Sequence, residues 1–86
     1  MPKYEAPDWA AICKQSLFEL GGSAMLEQIY VKAERIHASL GFLHLQSLDA
    51  TVRDALQRHC PESKKYKGGP ALFRNPERGR WELFHS

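Results

Sequence analysis

Cysteine is scarce in this chain. There are two, Cys13 and Cys60, and neither belongs to a CxxC pair. A structural zinc site needs about four ligands at close paired spacings, and His59-Cys60 stands alone as an adjacent pair. Zinc modules and disulfide scaffolds are therefore excluded. Cys13 reads as a small core residue and Cys60 as the end of a helix. His37, His44, His59 and His85 are scattered without ligand spacing, so no metal is expected. No Ser/His/Asp set sits in a known motif, and no glycine-rich loop opens a helix in phosphate-binding form. The acids stand singly on helix faces rather than in catalytic pairs. Catalysis and cofactors are accordingly not expected. No apolar run approaches the ~20 residues that cross a bilayer. With no signal-peptide pattern, a reducing compartment is expected: cytoplasmic and nucleoid-associated in a bacterium, nuclear in a eukaryote. Repeats and long linkers are also lacking. One domain over residues 1–86 is expected, its core at about 8–84.

What is present suffices for a fold. Hydrophobic residues make up 43%, and two Trp, three Tyr and four Phe argue against disorder. The net charge is only +2, but it is unevenly spread. Residues 1–50 hold four Lys and Arg against six acids, and residues 51–86 hold eight against four. Such asymmetry suggests a face that meets a polyanion.

Periodicity divides the chain into three helices and a hairpin. Trp9, Ile12, Cys13, Leu17 and Leu20 repeat every three or four residues, as one side of a helix does. Pro7 or Asp8 opens this helix, and Gly21-Gly22 closes it. Ser23-Ala24-Met25 reads either as a short strand or as the cap of the next helix. The second helix is predicted from about Leu26 to Ala38, with Leu26, Ile29, Tyr30 and Ala33 inward. Ser39 to Gln46 reads as a packed connector containing Leu40, Phe42, Leu43 and Leu45. A third helix is predicted from about Leu48 to His59. Ser47 or Asp49 can cap it, and Pro61 ends it. Lys64 to Pro70 is a basic loop. Ala71 to Arg74 is predicted to pair with Arg80 to Phe84, across a turn at Asn75 to Gly79. In the last strand Trp81 and Leu83 share one face. Trp9, Phe18, Tyr30, Phe73 and Trp81 all read as core aromatics.

This order predicts an α+β winged helix-turn-helix: three helices plus a C-terminal β-hairpin wing, with room for a short strand after the first helix. The run ATVRDALQRHCPESKKYKGGPALFRNPERGRWEL resembles the C-terminal half of HARE-type winged helix-turn-helix domains. These are attached to restriction endonucleases and to some chromatin regulators. The likeness is carried by Val52-Arg53 with Leu56-Gln57, by Leu72-Phe73, and by Gly79 with Trp81-Glu82-Leu83. Leu17 to Gly22 and Ile29-Tyr30 fit the first two helices, so it covers roughly Trp9 to Phe84. The resemblance implies a module that binds or senses DNA. It also implies a restriction or defence context, in which some relatives read modified bases, and a fused or associated nuclease or other protein as a further partner.

The residues themselves suggest how duplex DNA would be held. The major groove admits one helix, which enters by its N-terminal part. Gln46, Ser47 and Asp49 lie at the leading end of the third helix. Thr51, Arg53, Asp54, Gln57 and Arg58 follow on its polar sides. Arg suits guanine and Gln suits adenine. Arg53 has a second reading, as a structural bond to the hairpin, and Asp54 and Arg58 are spaced for an i,i+4 ion pair. Lys64, Lys65 and Lys67 are placed for phosphate contact, with Tyr66 the best candidate for an exposed aromatic ring. Arg78 at the wing tip, with Arg74 and Arg80, is placed for a minor groove or flanking phosphates. The alternatives are a winged helix that docks a protein partner within a larger complex, and a nonspecific duplex or RNA binder.

Overall fold

The computed structural model describes residues 8–42, 46–66, 68–69 and 71–84. Pro7, Leu43, His44, Leu45, Lys67, Pro70 and His85, which figure in the sequence reading, lie outside them. The chain is a small α+β domain. Its order is α1 (Trp9–Glu19), β1 (Ser23–Met25), α2 (Leu26–Ser39), α3 (Leu48–Arg58), β2 (Phe73–Glu77) and β3 (Arg80–Leu83). The strands form an antiparallel sheet in the order β1-β3-β2.

Local chemistry sets the helix ends. Asp8 Oδ1 accepts the Ala11 N–H at 3.1 Å, a side-chain cap on one of the free donors of α1. The helix closes in a Schellman turn: Gly22 N–H donates to Leu17 O at 2.7 Å and Gly21 N–H to Phe18 O at 3.2 Å. Gly21 has φ 93°, a left-handed conformation that disfavours a side chain. The segment Ser23–Met25 serves both of its predicted roles. It pairs with β3, Ala24 opposite Trp81, and the Met25 N–H donates to Gln28 Oε1 at 3.0 Å at the start of α2. At α3 the expected side-chain cap is missing. Ser47 is the cap residue, but at φ −94° and ψ 26° it lacks the extended backbone that turns a hydroxyl onto the helix.

The core lies where the three helices meet the sheet. Ile12, Cys13 and Leu17 of α1 join Ile29 and Ala33 of α2 and Leu48, Val52 and Leu56 of α3. Phe73 and Trp81 close it from the sheet, with Cys60 just beyond α3. Buried Ser16 is satisfied within its own helix, its hydroxyl donating to Ile12 O at 2.7 Å. Buried His37 stacks between Trp9 and Phe42, with ring centroids at 4.8 and 5.3 Å.

Three further expectations are corrected. Phe18 is 69% exposed, because it lies one residue, about 100°, round the helix from Leu17 and outside the inward side. Leu40, expected to pack in the connector, is also exposed. The third correction concerns β2, which starts at Phe73 and runs through the residues expected to form the turn. Asn75 and Pro76 fall in an irregularity between Arg74 and Glu77, and the turn shrinks to Arg78-Gly79. Asn75 holds the bulge, its Nδ2 donating to Glu77 O at 2.8 Å and to Arg80 O at 2.6 Å. Proline is tolerated here because β2 is an edge strand and the bulge needs no N–H from it.

Candidate nucleic-acid interface

The hairpin is fastened to the end of α3 and to α2 through backbone groups, and to the Glu62 side chain. The His59 carbonyl, just past α3, accepts from Leu72 N–H at 2.9 Å and Phe73 N–H at 3.2 Å. Asn75 N–H donates to Glu62 Oε1 at 3.3 Å. On the other side, Leu26 N–H at the head of α2 donates to Gly79 O at 2.7 Å. These bonds fix the hairpin turn beside α3.

Between them lies a hollow of about 480 Å³ lined by Leu26, Arg53, Gln57, Asn75, Arg78, Gly79 and Trp81. Half-buried Leu26 and buried Trp81 supply its apolar side. Arg53 and Gln57 come from α3, and Asn75 and Arg78 from the hairpin. Among the described residues, no acid lines the hollow.

The cations of the expected interface divide by partner. Asp54 accepts from Arg58 Nε at 2.7 Å and from Lys65 Nζ at 3.3 Å, so the i,i+4 pair is present and the basic loop is tied to α3. Arg80 Nε bonds Glu77 at 2.7 Å, and its Nη1 reaches Ser23 Oγ at 3.4 Å. Among the described residues, Arg53, Arg74, Arg78 and Lys64 enter no ion pair or hydrogen bond through their side chains. The structural bond from Arg53 to the hairpin is thus not formed, and Arg53 is exposed.

The remaining positions fall around this centre. Gln46, Ser47 and Asp49 are exposed at the front of α3, and Thr51 is half-buried. Tyr66 is half-buried rather than freely exposed, and its hydroxyl donates to Gly69 O at 2.5 Å. Lys67 lies outside the described residues. Tyr30, read from the sequence as a core aromatic, is half-buried on α2 within the electrostatic reach of Arg53 and Asp49. Burial raises its phenol above the ordinary tyrosine value, with Arg53 opposing and Asp49 reinforcing the shift. The signal for Tyr30 was its residue type, an apolar ring with a polar end that seeks an edge position. Asn75 was also missed, because its type and neighbours read as turn.

No cluster of three or more His, Cys, Asp and Glu suited to a metal occurs among the described residues. Among them, too, no helix is long and apolar enough to cross a membrane. Comparison of the chain with protein-family models, with curated proteins and with solved structures finds no match.

Proposed function

We propose that this chain is a winged helix-turn-helix module of the HARE-type kind that binds double-stranded DNA and acts by binding rather than catalysis. In this reading α3 enters the major groove, and the hairpin and basic loop lie on the backbone. One observation carries it. Arg53 and Arg78, neither of them in an ion pair among the described residues, line one hollow with Gln57 where α3 meets the hairpin. Arginines without carboxylate partners are free to replace the counterions of a phosphate backbone. Gln57 brings a donor and an acceptor to the same edge, as adenine recognition requires.

The test is a titration of the chain with a 20-base-pair duplex over a salt series. The expected log–log slope of affinity against salt is about −3 to −6, which means several phosphate contacts. Absence of binding at ~50 mM salt overturns the reading, because electrostatic binding is strongest there. Competition between methylated and unmethylated duplexes tests selectivity for modified bases, the narrower proposal that fits a restriction or defence role.

A second reading, docking of a protein partner, is favoured by Phe18. It is the most exposed large apolar side chain among the described residues, and it lines a hollow with Ala11, Lys14, Gln15 and Leu83. Failure to bind any duplex turns the assignment to this reading.

A further inference from the structure

We propose that the hollow between α3 and the hairpin is a phosphate clamp. It holds one phosphodiester of the strand that separates the two grooves, gripped by Arg53 from the helix side and by Arg78 from the turn. The proposal rests on the duplex-DNA reading and specifies what that site binds. With α3 in a major groove and the hairpin beside it, the intervening sugar-phosphate strand has to pass between them. That space is the hollow of about 480 Å³, with an arginine from each wall.

Three features suit a phosphodiester. Among the described residues the lining holds two arginines and no acid, so the hollow is positively charged. Each guanidinium is a planar fork that can meet two phosphate oxygens at once. The walls are also held at fixed separation: Leu72 and Phe73 hydrogen-bond the end of α3, and Gly79 O accepts from Leu26 N–H. Fixed walls spare the backbone any rearrangement when the two arginines close on an anion. The apolar side, Leu26 and Trp81, faces chemistry that suits a deoxyribose. Nearby cations contribute less, because Asp54 already holds Arg58 and Lys65, and Glu77 holds Arg80.

Counterion release gives the test, because the salt slope counts neutralised phosphates at about 0.9 each on duplex DNA. Wild type, Arg53→Ala, Arg78→Ala and the double variant are titrated with one short duplex over a salt series. Melting curves confirm that each variant is folded, and Arg78→Lys is included as a variant that keeps the charge. Two arginines on one phosphate predict that each single variant, with one arginine still on that phosphate, changes the slope little, and that the double variant flattens it by about 0.9. Arg78→Lys keeps the slope but weakens binding, since it loses the fork. A flattening of about 1.8 in the double variant means two separate phosphates and overturns the clamp. An unchanged slope in the double variant removes both arginines from the interface and overturns it too. In either of those cases, continued binding by wild type, with a flatter slope for Lys64→Ala, leaves the duplex reading standing. Wild type that binds no duplex overturns both.

Discussion

Asp54 shows how one side chain sorts its neighbours. It accepts from Arg58 on its own helix and Lys65 on the next loop, and so neutralises much of the charge on that side of α3. In the DNA reading, an acid here repels the backbone and restrains two cations. Asp54→Asn is therefore expected to tighten duplex binding several-fold with little change in melting temperature. Weaker binding, with a lost preference for one base, would instead place the carboxylate on a cytosine amine. Cys13 makes a separate statement about burial. Desolvation pushes its thiol from 9.0 up to about 12. The folded state therefore holds the proton more tightly than the unfolded state. The resulting stability is whole below pH 9.0 and is lost as pH rises through about 12. Between those values wild type is expected to lose up to ~1.4 kcal/mol per pH unit more than Cys13→Ala. Urea midpoints from pH 8 to 11 measure this, and parallel curves would show that the thiolate is not desolvated.

At the scale of elements, stability centres on the pairing of β3. Trp81 faces Ala24 across β1 and closes the core from the sheet. Trp81→Ala is expected to cost ~3–5 kcal/mol and to lower the melting temperature clearly. A wild-type melting curve would mean that the sheet does not seal the core. Gly79 turns the hairpin at φ 82°, and an added Cβ would lie 3.4 Å from the Met25 Cε. Much of this level could be read from the sequence. The three-and-four spacing of Ile12, Cys13 and Leu17 and of Val52, Ala55 and Leu56 located α1 and α3 within a residue or two, because one buried side imposes that period. Strand β2 starts and ends later than the sequence reading placed it, for a specific reason. Asn75, Pro76 and Gly79 all favour turns in isolation, but pairing with β3 draws the first two into a bulge. Phe18 and Leu40 were misread because hydrophobicity alone does not fix orientation. The exposed Phe18 shows that its angle around α1 decides.

Over the whole molecule, the charge asymmetry of the sequence becomes a surface with a centre. The cationic half of the chain is α3, the basic loop and the hairpin, and their backbone bonds bring Arg53, Gln57 and Arg78 to one hollow. The residue types at this site were legible in the sequence. Which cations stay free was not, because that depends on pairings such as Glu77 with Arg80 that spacing alone does not select. Duplex titration across salt tests the central claim most directly. A linear loss of affinity with log salt, at a slope of about −3 to −6, is the predicted result. No detectable binding at ~50 mM salt, where phosphate contacts are least screened, would contradict it.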